Sequence, residues 1–220
     1  MSEYILPPKS GGTPDSIVLL LHGYGSNGQD LIGLADYWTN ALPNTLFVSP
    51  DAFSPCEMGF GFQWFSLQSW LPQHLLGGAE AVAAQLNTYI DGLLARYNLD
   101  EGKLALAGFS QGTMMSLYLA PRRQKPIAGV LGYSGALLGG ESLSGDSSMK
   151  RVPVHLIHGD IDPVVPVTAY YHAAETLKQA GYDVTGGVTR GLIHSIDERG
   201  LHDGEVFLQK VLGVSKPDAR

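Results

Sequence analysis

A chain of 220 residues with 44% apolar and only 16% charged side chains is too apolar for a disordered protein, and it is long enough to bury a sizeable core as a single domain spanning 1–220. Its net charge of −7 and its scattered basic residues, densest at Arg122, Arg123 and Lys125, exclude a stripe that tracks phosphates, so no nucleic-acid partner is expected. The lone cysteine, Cys56, rules out an internal disulfide and any multi-cysteine metal centre.

The first ten residues, MSEYILPPKS, lack both the basic and the apolar part of a secretory signal, and no apolar run approaches a membrane span. A cytoplasmic protein without integral membrane association is the expectation. The first strand signal is the continuous apolar run Ile17–Leu21, followed by His22-Gly23-Tyr24-Gly25, a turn rich in glycine. Helical spacing follows over Asp30–Asn40, and a second apolar run over Leu46–Ser49.

Residues Ala52–Gly78 break the alternation. Phe53, Phe60, Phe62, Trp64, Phe65 and Trp70 lie among Gly and Pro with neither a helical nor a strand period, which reads as a long aromatic loop of the kind that often binds ligands. A helix is predicted over Ala79–Tyr97 and a strand over Leu104–Ala107.

Gly108-Phe109-Ser110-Gln111-Gly112 then joins that strand to a helix over Gly112–Ala120. A serine in this strand–turn–helix setting is lifted above the sheet edge, and the small flanking residues avoid clashes. Ser134, after the run Ile127–Gly132, lacks the second glycine and is taken as a strand-end residue. Gly139–Ser148 reads as a polar loop.

A serine hydroxyl becomes a nucleophile only when a base takes its proton and a third group orients that base. The run Val154–His158 ends in Gly159-Asp160-Ile161-Asp162-Pro163, which puts two acids just past a strand's C-terminal end. Asp162, held extended by Pro163, is favoured about two to one over Asp160, which could instead cap the turn. After the predicted helix Thr168–Ala180 and the strand-like stretch Val184–Val188, a Gly-containing loop carries His194. Of the seven histidines it is the preferred base: His74, His155 and His172 fall before or break the Ser, acid, His order, and His202 opens the final helix at Asp203–Leu212. His22 and His158 end strands, which suits backbone-shaping roles. The oxyanion of a tetrahedral intermediate would take N–H groups from Gln111, at a helix N-terminus, and from Tyr24, in the turn after the early strand. Strand and helix alternate throughout, so the expected fold is α/β, a mostly parallel sheet with helices on both faces.

Together, His22-Gly23-Tyr24-Gly25, Trp64-Phe65, Gly108-Phe109-Ser110-Gln111-Gly112, Gly159-Asp160-Ile161-Asp162-Pro163-Val164-Val165-Pro166 and His194-Ser195 resemble the phospholipase/carboxylesterase family, which includes the acyl-protein thioesterases. The resemblance implies a lidless α/β-hydrolase without cofactor, acting on a small-molecule ester, a lysophospholipid or an acyl thioester; no metal site is expected either, because no pair of the seven histidines has helical ligand spacing beside an acid. It implies that the acid is Asp162 and the base His194, that the oxyanion donors are Tyr24 and Gln111, and that Trp64 and Val165 contact substrate. Tyr24 stands where the family often has Leu, and Ile193 where Gly is common. A bulkier Tyr24 would narrow the acyl site and favour short to medium chains. A peptidase or amidase, a long-chain thioesterase or lysophospholipase, and a non-catalytic binding protein on the same fold are the competing readings. The sequence is compatible with either a monomer or a homodimer.

Overall fold

The computed structural model describes residues 2–214. The continuous apolar runs fold as the inner strands of a seven-stranded sheet: β1 (Glu3–Leu6), β2 (Ser16–Leu21), β3 (Thr45–Pro50), β6 (Leu104–Phe109), β7 (Gly129–Tyr133), β8 (Val154–Gly159) and β9 (Val184–Thr189), in the order β1-β3-β2-β6-β7-β8-β9. All neighbours pair in parallel except β1, which runs antiparallel along β3 at one edge. Every residue of β2 and β3 is buried, which is what a run without polar alternation requires of a strand covered on both faces.

Alternate side chains feed two cores. Ile17, Leu19, Leu21, Leu104 and Leu106 join the face covered by α3 (Pro72–Tyr97), α4 (Gln111–Arg122) and α5 (Thr168–Gln179). Val18, Leu20, Ala105 and Ala107 pack on the other face with Trp38, Phe207 and Leu208. There the cover is α1 (Gly28–Ile32), α2 (Ala35–Trp38) and α6 (Glu198–Leu212). No large lid domain is present among the described residues. A hairpin of β4 (Ser54–Pro55) and β5 (Phe62–Gln63) projects from the loop after β3.

Several boundaries differ from the sequence expectation. The helical stretch 30–40 is two short helices, and Trp38 of the second donates its indole N–H to the Leu201 carbonyl (3.0 Å). Helix α3 starts at Pro72 rather than Ala79, because proline suits the first helical turn even though Gly77 and Gly78 follow. Gly78 is a packing glycine: a Cβ there would lie 2.8 Å from Phe65 Cβ. Helix α6 starts at Glu198, capped by the Asp197 carboxylate, which accepts from Gly200 N–H (2.8 Å). The polar loop 139–148 contains a 3-10 turn, Gly140–Leu143.

Candidate active site

Ser110 lies between β6 and α4 with φ 54° and ψ −115°, a backbone conformation that costs a non-glycine residue about 1–3 kcal/mol. The surroundings hold it there: Ser110 N–H donates to the Tyr133 carbonyl (2.9 Å), and the Ser110 carbonyl accepts from Met114 N–H (3.2 Å). The flanking glycines make the turn possible. A Cβ on Gly108 would fall 2.5 Å from the Gly112 carbonyl carbon, and one on Gly112 would collide with the Leu21 carbonyl and lie 2.9 Å from the His22 oxygen. Helix α4 can therefore start hard against the end of β2.

The C-terminal end of β8 carries both acids, and the structure divides them. Asp162 has a wholly buried side chain whose Oδ2 accepts from His194 Nδ1–H at 2.6 Å. Its Oδ1 accepts from Val164 N–H (2.8 Å) and Val165 N–H (2.9 Å). Burial alone would raise this carboxyl's pKa, but the hydrogen bonds from His194, Val164 and Val165 outweigh it and hold Asp162 below the ordinary carboxylate range. Asp160 instead points to the backbone of the histidine loop and accepts from Gly191 N–H (2.6 Å). Gly159 lets that loop settle on β8, since a Cβ there would be 2.7 Å from the Ile193 carbonyl oxygen. The His194 ring packs on Phe109, which directly precedes Ser110, with centroids 4.8 Å apart.

The turn after β2 lies against Ser110, with Gly23 so placed that a Cβ would meet the Ser110 Cβ at 3.3 Å. His22 is fully buried and neutral, burial lowering its pKa; its Nδ1–H donates to the Gly23 carbonyl (2.7 Å) and its Nε2 accepts from Ala52 N–H (2.9 Å). Among the described residues, neither the backbone N–H of Tyr24 nor that of Gln111 has a hydrogen-bond partner. The Gln111 side chain is committed elsewhere: its Oε1 accepts from Trp64 N–H (2.9 Å) and its Nε2 donates to the Phe65 carbonyl (2.7 Å).

Trp64 and Val165, expected to contact substrate, both have buried side chains. Trp64 is 1% exposed, donates its indole N–H to the His22 carbonyl (2.9 Å) and packs edge-on against Phe53. Val165 is 2% exposed, and its backbone is taken up by Asp162 and His158. Both are pinned because they carry the loops on which the other residues stand. The apolar surface nearby comes from Phe60, in the aromatic loop read from the sequence as ligand-binding, and from residues that sequence reasoning did not count as substrate contacts: Met58, beside Phe60 at the tip of the hairpin near Gly25, and Ile161, Val164 and Ile193, which flank the acid and the histidine. Their signal was a large apolar residue next to a motif position. Tyr24 donates its hydroxyl to Glu57 (3.0 Å), which ties its ring to the same hairpin. Among the described residues, no group of three or more His, Cys, Asp or Glu side chains is placed to hold a metal ion.

A family model described as phospholipase/carboxylesterase matches residues 8–212. The chain belongs to that family. It is similar over its whole length to acyl-protein thioesterase 1 of Schizosaccharomyces pombe, at 31% identity with 97% of each chain covered. It is 30% identical to esterase YpfH of Escherichia coli K12, over 84% of this chain and 78% of that one. Among solved structures it matches esterase PE8 with a TM-score of 0.90 and 37% identity, covering 96% of this chain and 99% of that one. Like the members of the phospholipase/carboxylesterase family, it is a hydrolase of the α/β-hydrolase type, with serine esterase activity. Among the described residues, no helix is long and apolar enough to cross a membrane.

Proposed function

We propose that this chain hydrolyses carboxylic esters of short to medium acyl chains through an acyl-enzyme on Ser110, with His194 as base and Asp162 as its orienting acid. The observation that carries the reading is the 2.6 Å hydrogen bond from His194 Nδ1–H to a buried, ionised Asp162, on a ring packed against Phe109, the residue that precedes the strained Ser110. With Nδ1 protonated, the Nε2 lone pair of His194 takes the Ser110 proton as Oγ attacks the acyl carbon. Asp162 stabilises the resulting imidazolium, and the imidazolium then protonates the departing alkoxide. Water, deprotonated by the same Nε2, releases the acid.

The oxyanion is received by the unpartnered N–H groups of Tyr24 and Gln111, whose partnerless state in a largely buried turn suits donors reserved for a substrate. The acyl chain lies on the apolar surface of Met58, Phe60, Val164 and Ile193, bounded by Tyr24. A long-chain thioesterase is the second reading, favoured by the full-length similarity to acyl-protein thioesterase 1.

A fluorophosphonate probe tests the assignment. Labelling of one site, mapped to Ser110 and lost in Ser110→Ala along with about 10⁴- to 10⁶-fold of turnover, is the expected result. An adduct on Ser134, or full activity in Ser110→Ala, would overturn it.

A further inference from the structure

His158 is used by none of the chemistry above, yet it is 2% exposed and lies at the end of β8, four residues before Asp162. Its Nε2–H donates to the Val165 carbonyl at 2.8 Å and sits 3.4 Å from Asp162 Oδ2, the oxygen that also receives His194. The N–H of the same Val165 is bonded to Asp162 Oδ1. The turn from Asp162 to Val165 is thus closed twice, once by the carboxylate it has to aim and once by an imidazole from the strand beneath.

Resting on the triad reading, we infer that His158 is a positioning residue for catalysis, a neutral imidazole that locks the Val165 peptide and so fixes the direction in which Asp162 faces His194. Three features support a buried donor that keeps one proton. A carbonyl can only accept, so the proton at the 2.8 Å contact must reside on Nε2. Burial is the largest influence on His158 and pushes its pKa down, with His194 acting in the same direction and the Val165 carbonyl and Asp162 opposing it. The groups facing it are Asp162 and His194 from the loops and Tyr170 from α5, whose ring is 6.4 Å away and whose hydroxyl is itself raised by burial. None of these supplies a second carboxylate that would draw a proton onto Nδ1.

The role differs from simple packing because it acts on the base. An ionised Asp162 held against His194 Nδ1–H fixes the ring's tautomer and direction and stabilises the imidazolium formed as Ser110 gives up its proton, and a carboxylate free to rotate loses that contact. A void of about 10 Å³ lined by His158, Thr113, Gly132 and Tyr170 leaves room for a slightly larger ring in its place.

The test uses His158→Gln, His158→Asn and His158→Phe in the full chain, with kcat and KM measured on p-nitrophenyl butyrate and folding checked by circular dichroism. Gln places its amide N–H near the Nε2 position, whereas Asn reaches only as far as Nδ1 and Phe has no donor. In Asn and Phe, kcat should fall about 10²-fold with KM within about twofold, the loss typical of a misaimed catalytic group. Gln should recover kcat to within about fivefold of wild type, a rescue that bulk alone does not produce.

A folded Asn or Phe variant with wild-type kcat overturns the inference. So does a loss of kcat that Gln recovers no better than Asn. If Phe fails to fold, the Gln and Asn pair decides. Peptide mapping of a fluorophosphonate adduct in the wild-type protein separates the two levels. An adduct on Ser110 leaves only the role of His158 at stake, whereas an adduct elsewhere overturns the triad reading and this inference with it.

Discussion

Asp162→Asn has an outcome that can be worked out from the hydrogen bonds it must keep. An asparagine offers one acceptor oxygen where the aspartate offers two. Oδ1 now accepts from two backbone donors, Val164 and Val165 N–H, while Oδ2 accepts from His194. Turning the amide nitrogen toward the backbone would leave both N–H groups without their acceptor, at about 1–3 kcal/mol for the buried Val165 N–H and less for the part-exposed Val164 N–H. Placing the oxygen there costs only the His194 contact, so this orientation wins by at least one such increment. The NH₂ group then faces His194 Nδ1 as a donor, which forces the ring proton onto Nε2, and a protonated Nε2 cannot accept from Ser110. Turnover should fall about 10⁴-fold with KM little changed. Asp160→Asn retains an acceptor for Gly191 N–H and should cost less than about tenfold. Steady-state hydrolysis of p-nitrophenyl butyrate by both folded variants is the assay. Asp162→Asn within about tenfold of wild type, or Asp160→Asn falling as far as Asp162→Asn, would refute the reasoning.

Gly112→Ala should cost about 1–3 kcal/mol in urea denaturation and at least about 10²-fold in kcat, because its Cβ would drive α4 away from the end of β2 and carry Ser110 off its line to Tyr24 N–H. Stability unchanged from wild type would contradict the packing at the elbow. His22 and His158 are both buried with lowered pKa values, so below their ordinary value of 6.5 the unfolded chain binds protons that the folded one does not. Folding stability should therefore be fully present above that value and decline as pH falls below it, by up to about 1.4 kcal/mol per pH unit for each group. Denaturation midpoints that stay flat from about pH 7 to about pH 5 would exclude this. Across p-nitrophenyl esters, kcat/KM should rise by up to about 0.8 kcal/mol per methylene, peak at intermediate length and fall, and Tyr24→Leu should move the peak to longer chains. A steady climb to palmitoyl esters would favour the long-chain thioesterase reading.

The inner strands and the chemical motifs were legible because both are local. A run such as Ile17–Leu21 can be satisfied only between two covering layers, and a serine between Gly108 and Gly112 has few other settings. Strand β1 was not legible: Glu3–Leu6 is short and half-buried, and it becomes a strand through its antiparallel partner β3 rather than through any period of its own. The early start of α3 was hidden by Gly77 and Gly78, whose tolerance depends on Phe65 arriving from another segment. Asp160 and Asp162 are alike in one dimension, and only the return of the histidine loop across β8 gives each its partner. The burial of Trp64 and Val165, read in the sequence as substrate contacts, was hidden for the same reason. Proximity to the site in sequence says nothing about whether a side chain faces solvent or holds up the floor.

The double hydrogen bond from the Gln111 amide to residues 64 and 65 has a consequence for remodelling this protein. It anchors the base of the aromatic loop to the start of α4, whereas Met58, Gly59 and Phe60 at the hairpin tip have no such tether and stand in solvent. Base and tip are therefore separable modules. A library that randomises 58–60 and leaves Gln63, Trp64 and Phe65 untouched would sample new acyl preferences on an unchanged floor, while one that reaches into 63–65 would loosen the helix terminus that carries Gln111, the proposed oxyanion donor.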